Sequence, residues 1–380
     1  ATLADVLIAN YPFATIKPNS GVGFVKLECA DKDFSKQCHP RTGFCTHGKR
    51  FVPVQLIDVA GLVPGAHEGL GMGNQFLDDL RQADVLVHVI DVAGSTNEKG
   101  EPVNVGSYDP AADVRFLEVE LDMWYLGILK RGWEKFARTV VQEKAAIHMA
   151  LAKQLSGLGV TEAMVEEAVE KLSLDPHKPI GWSDENLMKL AQVLRTKTKP
   201  MVMACNKIDL AGARENFERL KQEFPHYRFI ACSGDSELAL KEAARAGLIS
   251  YVPGDTDFAI IGLEKLNPRQ IAALEFIRSN VLQKGNGTGV QQVLDTAVFD
   301  ILGYMAIFPG GVTKLEDKDG NCLPDCFLLP AASTALDFAY RLHTDLGKNF
   351  ICAKDVRTKR TVGKEHLLHH RDVVEIVAGR

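Results

Sequence analysis

Asn206-Lys207-Ile208-Asp209 could read a nucleobase. It directly follows Pro200–Asn206, an apolar run with the character of a buried strand. N-K-x-D suits guanine: the Asp209 carboxylate accepts from the ring N–H and the exocyclic amine, while Lys207 packs its stem along the ring. Two charge-assisted hydrogen bonds at roughly 1.5–3 kcal/mol each discriminate against adenine by on the order of 10²–10⁴. Ser233-Gly234 comes 27 residues after Asn206, behind a second strand-like run, Tyr227–Cys232. One βα unit of about thirty residues fits that gap, and a backbone amide there would meet the base's carbonyl oxygen.

Asp58-Val59-Ala60-Gly61 supplies a third element. Its Asp closes the β-rich run Phe51–Asp58, where open α/β sheets bind their ligands. A carboxylate so placed can hold Mg²⁺, which takes one or two carboxylates beside water and substrate phosphates. Gly61 lets a backbone N–H approach a terminal phosphate with no Cβ in the way. A phosphate cradle, G-x-x-x-x-G-K-[ST], is not found. The nearest match, Gly43–Lys49, is followed by Arg50 and then by a strand, whereas a working cradle follows a strand and opens a helix.

The elements that must position these residues are strands alternating with helices, which predicts an α/β fold with a doubly wound, mostly parallel sheet. Asp84–Asp91 reads as a further strand, buried on both faces. Asp58 and Asn206 are 148 residues apart, where two βα units need only about 60. The excess coincides with helical periodicity through Val114, Leu117, Leu121 and Trp124, and again through Leu187, Leu190 and Leu194. The expected division is a nucleotide-binding G-domain at 1–109 and 200–300, a coiled-coil-like helical insert at 110–199, and a small α+β unit at 301–380 whose clear helix is Thr334–Leu342.

These motifs resemble the YchF-like branch of the Obg superfamily of P-loop NTPases. The run Asn10–Asn19 (NYPFATIKPN) looks like its switch I and Asp58–Asn74 (DVAGLVPGAHEGLGMGN) like its switch II. Leu336–Gly347 (LDFAYRLHTDLG) is similar to part of a TGS domain, a β-grasp module. The intact N-K-x-D places the chain with the archaeal-type and fungal side group and implies GTP where much of the branch prefers ATP.

The resemblance further implies that Thr15 and Asp58 hold Mg²⁺, that the Gly61 amide senses the γ-phosphate, and that Leu62 stands where many GTPases carry a water-orienting Gln. His67 is a candidate to assist, with a structural role equally open. The implied activity is a GTP-hydrolysing switch tied to translation, with the ribosome, rRNA or tRNA as partner. The alternatives are ATP hydrolysis or a non-catalytic, RNA-binding pseudo-GTPase. In the family the phosphate cradle precedes the helix whose end Ala1–Ile8 matches, so it is expected upstream of residue 1.

Cys29, Cys38, Cys45 and His47 crowd one loop. They could hold zinc tetrahedrally, though C-x8-C-x6-C-x-H is not a standard spacing and free thiols in a hairpin insertion are the alternative. Cys322 and Cys326 flank Pro324 without a second pair. Across 380 residues the net charge is −5, which excludes a whole-chain polycation and leaves local patches. One patch is the C-terminal unit, where Arg341, Lys348, Arg357, Lys359 and Arg371 contribute; a solvated edge and contact with RNA phosphate are both open. No apolar run approaches the roughly 18–20 residues of a membrane span. A cytoplasmic monomer is expected.

Overall fold

The computed structural model describes residues 19–59 and 80–379. β1 (Asn19–Glu28) and β3 (Lys49–Asp58) pair antiparallel along their whole length, from Asn19 opposite Asp58 to Glu28 opposite Lys49. Short β2 (Phe44–Thr46) adds to β3. His47 and Gly48 both have positive φ, 52° and 71°, the backbone of a two-residue hairpin turn that matches strand twist. The sequence Gly43–Lys49 is therefore strand and turn rather than a phosphate loop.

β4 (Leu86–Asp91), β5 (Met201–Asn206) and β6 (Arg228–Ala231) form a parallel sheet in that order, with Asp91 in register with Asn206. All six residues of β5 but Asn206 are buried, as expected for the central strand of a covered sheet. β4 differs from expectation. Val87 and Val89 are exposed, 37% and 63%, and β4 pairs on one side only among the described residues.

The insert begins at α1 (Ala111–Lys130) and ends with α5 (Asp184–Thr198). Leu117, Leu121 and Leu129 share a buried core with Leu187, Leu190 and Leu194, and Arg195 donates to Asp122 across the two helices at 2.8 Å. Between them lie α2 (Trp133–Gln142), α3 (Ile147–Gln154) and α4 (Glu162–Lys171), eight to ten residues each. The insert is thus a compact bundle rather than a coiled coil. Gly132 and Gly159, both at positive φ, break the chain before a long hairpin can form.

After β6, α6 having intervened at Ala213–Glu223, the chain runs through α7 (Gly234–Arg245) and α8 (Pro268–Ile277). The glycine-rich break Gly285–Gly289 then leads into α9 (Val290–Asp295). The C-terminal unit holds strands β7 (Tyr304–Pro309), β8 (Phe327–Pro330), β9 (Phe350–Asp355), β10 (Thr361–Val362) and β11 (Val373–Ala378), with α10 (Ala335–Leu342) packed on them. They form a mixed five-stranded sheet ordered β8-β7-β11-β9-β10. α10 is launched by a Thr334–Asp337 capping box and buries Phe338 in the sheet's core. Among the described residues no helix is long and apolar enough to cross a membrane.

Candidate guanine-nucleotide site

The carboxyl ends of β4, β5 and β6 bring Asp91, Asn206 and Ser233 to one edge of the parallel sheet. The Asn206 side chain fastens two loops together: its Oδ1 accepts from the Gly234 N–H at 2.8 Å. A Cβ at position 234 would stand 3.3 Å from that oxygen, so glycine suits the close approach. Lys207 has φ of +64°, a left-handed backbone that costs a non-glycine residue about 1–2 kcal/mol. Its Nζ anchors it by donating to Asp91 Oδ2 at 2.8 Å and to Ser95 Oγ at 2.9 Å.

Asp91 was not among the residues that the sequence singled out, although it closes a strand-like run. Its carboxylate also accepts from the Ala93 N–H and the hydroxyls of Ser95 and Thr96. Burial pushes this carboxyl up, but Lys207 and the two hydroxyls outweigh it and hold it below the usual carboxylate range. Asp209 contrasts with it. Its carboxylate is half-buried and makes no hydrogen bond or ion pair among the described residues. The motif therefore carries one cation clasped by a carboxylate, at Lys207, and one open acceptor two residues on.

The Ser233-Gly234 loop is seated from behind. Ser233 is buried, caps α7 by accepting from Ser236 N, and donates its own N–H to the Thr288 carbonyl at 2.9 Å. Thr288 Oγ donates to buried Glu237 at 2.6 Å. Gly289 follows at φ +77°, where a Cβ would lie 1.9 Å from the Ala231 carbonyl oxygen. The glycine-rich break is thus a backbone seat under β6. The expected free amide at Ser233 or Gly234 is not free: both donors are taken, by Thr288 and Asn206. Buried donors satisfy themselves within the protein.

Asp58 is exposed at the end of β3, a position and donor type that suit a hard cation. Thr15, Gly61, Leu62 and His67 lie outside the described residues. At the cysteine loop, Cys29, Cys38 and Cys45 do meet, but their fourth neighbour is Asp31, not His47. His47 is exposed at the tip of the hairpin turn, where its positive φ aims the residue away from the cluster. Arg357 and Arg371 each pair with Asp33 on the hairpin, at 2.7 and 3.1 Å, while remaining about 30% exposed.

An N-K-x-D turn at the carboxyl end of a parallel sheet, with a helical insert between β4 and β5 and a C-terminal mixed-sheet unit, is the architecture of a nucleotide-binding GTPase-like protein. The comparisons agree. Residues 204–311 match the G4 motif-containing domain of the Obg-like GTPase YGR210-like family, residues 314–378 the TGS domain, and residues 2–114 the 50S ribosome-binding GTPase family. An uncharacterised GTP-binding protein of Methanocaldococcus jannaschii is 45% identical over 98% of this chain and 92% of its own. One from Schizosaccharomyces pombe is 37% identical over 88% of this chain and 83% of its own. The crystal structure of a GTP-binding protein from Pyrococcus horikoshii superposes with a TM-score of 0.77 at 37% identity, covering 95% of this chain and 93% of that one. The chain belongs to the YchF-related, YGR210-like group of Obg-like GTPases with a C-terminal TGS domain.

Proposed function

We propose that this protein is a GTP-binding and GTP-hydrolysing switch that acts on ribosomes in the cytoplasm. The observation that carries the base preference is the pairing of an anchored Lys207 with the unengaged carboxylate of Asp209. That carboxylate can accept two N–H groups from guanine, whereas adenine offers a ring acceptor and no exocyclic amine at the corresponding positions. Asn206, Ser233 and Gly234 complete the base pocket, and Asp58 with Thr15 would hold Mg²⁺, which supplies charge neutralisation at the β- and γ-phosphates. Leu62, in the position of a water-orienting Gln, has no polar atom to offer. Water must be oriented by another group, with Gly61 and His67 the nearest candidates in the sequence. The domain division follows the same logic: a G-domain at 1–109 and 200–300, an insert at 110–199 and the C-terminal unit at 301–380.

The ribosome enters as a partner because several relatives are named ribosome-binding ATPases, among them one from Bacillus subtilis that is 25% identical over 98% of this chain. GTP and ATP titrated against the full-length protein test the base preference; equal or tighter ATP binding defeats it. Hydrolysis with and without ribosomes tests the switch. Binding without turnover under both conditions would instead identify a non-catalytic adaptor.

A further inference from the structure

Three thiols and one carboxylate converge at the root of the β1–β3 hairpin. Cys29 follows β1, Asp31 lies in the 3₁₀ turn Ala30–Phe34, Cys38 in the loop beyond it, and Cys45 in β2. One ligand atom from each lies within 4.8 Å of all the others. The Cys29 and Cys38 sulfurs are 3.5 Å apart, close to the edge, about 3.8 Å, of a tetrahedron built on Zn–S distances of about 2.3 Å.

Two further observations call for a cation there. Asp31 is only 2% exposed; its Oδ2 accepts from the Cys38 N–H at 3.0 Å, while Oδ1 is sealed from water and has no partner. A buried carboxylate oxygen left unpaired is costly, and an amide on the other oxygen is how supporting bonds orient a metal-ligating carboxylate. The second observation is Arg50, which faces Cys45 across the strands and is fully buried. Its terminal nitrogens donate to the carbonyls of Leu323 and Pro324 at 3.1 and 2.8 Å, and its Nε has no partner. No carboxylate pairs with it among the described residues, although buried guanidinium groups are normally paired. A dication bound by three thiolates and one carboxylate carries net negative charge and would balance it.

We propose that Cys29, Asp31, Cys38 and Cys45 bind one zinc ion as a closed structural site that braces the hairpin against the C-terminal unit. Thiolate-rich tetrahedral donor sets select zinc over hard cations. The brace is local: the same loop donates His39 N–H to Cys322 O and Arg41 N–H to Pro324 O, each at 2.9 Å. Those two residues flank the carbonyls that Arg50 holds or belong to them.

The test is metal analysis of the full-length protein, purified without chelator and dialysed. About one zinc per chain is expected; it should be lost in Asp31→Ala and Cys38→Ser and kept in His47→Ala. Because Cys38→Ser could unfold, the metal-stripped wild type is also titrated with Co²⁺. Intense visible bands of tetrahedral cobalt and a thiolate charge-transfer band, both abolished by added Zn²⁺, support the site. Limited proteolysis across residues 35–43 should speed up on metal removal and slow again on zinc addition. Less than about half an equivalent of zinc after reconstitution overturns the proposal. So does equal zinc loss in His47→Ala, or a Cys29–Cys38 disulfide in protein purified anaerobically.

Discussion

The candidate nucleotide edge and the cysteine cluster are both built from strand ends and tight turns, yet they are finished differently. At the first, Lys207 and Asn206 are tied down while Asp209 keeps an open carboxylate. At the second, donors from four places in the chain lie together, three buried and Cys45 half-buried, and one buried carboxylate oxygen of Asp31 has no partner. A site that exchanges its ligand must leave an acceptor within reach of solvent. A site that only holds the chain together gains by burying every donor. Changes at the first should therefore move affinity and spare stability, and changes at the second should do the reverse.

The harshest challenge to that division is Gly289→Ala, because Gly289 seats the base-reading loop but is itself structural. Its Cβ would stand 1.9 Å from the Ala231 carbonyl oxygen at φ +77°. Strain and backbone displacement together should cost about 3 kcal/mol or more of unfolding free energy, and GTP affinity should fall with it. Urea unfolding and nucleotide titration measure the two. A variant as stable as the wild type would show that the glycine-rich break is not the seat of Ser233.

Asp209→Asn separates the regions more cleanly. Replacing a charged double acceptor by an amide should weaken GTP binding by about 2–4 kcal/mol, on the order of 10²–10³-fold. Unfolding should be unchanged within about 0.5 kcal/mol, since no described residue uses that carboxylate. Xanthosine triphosphate should regain affinity, because its C2 carbonyl can accept from the new amide. If Asp209→Asn unfolds the protein, the open acceptor is structural and the contrast fails.

Two buried titrating groups give opposite pH slopes. His88 on β4 has its Nδ1 sealed from water without a partner, and burial lowers its pKa to about 4. The unfolded chain takes up that proton near pH 6.5, so this contribution is intact above pH 6.5 and shrinks as pH falls towards 4, by up to about 3 kcal/mol. Asp295 on α9 accepts from Lys26 N–H at 2.7 Å and from Gln291 at 2.8 Å, yet burial raises its carboxyl to about 6. Here the folded state holds the proton longer, so its contribution is fully present below about pH 4 and is lost as pH rises through 6. The two nearly cancel in the wild type. Asp295→Asn should unmask a loss of about 2–3 kcal/mol on acidification from pH 6.5 to 4, and His88→Leu should reverse the slope. Parallel wild-type and variant profiles would refute both assignments.

How far each region was legible in the sequence follows from how its residues are joined. Asn206, Lys207 and Asp209 are contiguous and sit at the end of β5, a strand whose unbroken apolar run announces itself, so motif and element were readable together. Asp91 was missed because its role depends on register with Asn206 across the sheet, which no local pattern encodes. The use of the Ser233 and Gly234 amides was likewise invisible, since Thr288 lies more than fifty residues away in sequence. At the cysteine loop the three thiols were found by residue type alone. Asp31 was not, because an acidic residue in a polar loop looks solvated until its burial is known. His47 was a candidate by residue type despite a non-standard spacing, and it stands in a turn of positive φ outside the cluster. The parallel sheet and helical insert were legible from periodicity; the bundle's five-helix form was not, because glycine breaks shorten helices without changing their pattern.

The smallest expected effect concerns the seam between the hairpin that carries the cysteine cluster and the C-terminal unit. Asp33 receives Arg357 and Arg371, but all three side chains remain about 30% exposed. Burial pushes the Asp33 carboxyl up, while the two guanidinium groups more than offset this and hold it below the usual range. Partly solvated pairs of this kind contribute little, so Asp33→Asn should cost under about 1 kcal/mol in urea unfolding. The buried bonds from Arg50 to Leu323 and Pro324 should keep the seam closed in that variant. Arg50→Met, which removes them and leaves the Leu323 carbonyl unpaired while Pro324 keeps the Arg41 N–H, should open it to proteolysis. If Asp33→Asn were the more damaging of the two, surface charge would be what holds the C-terminal unit. The cysteine cluster beneath it would then lose its claim to be the brace.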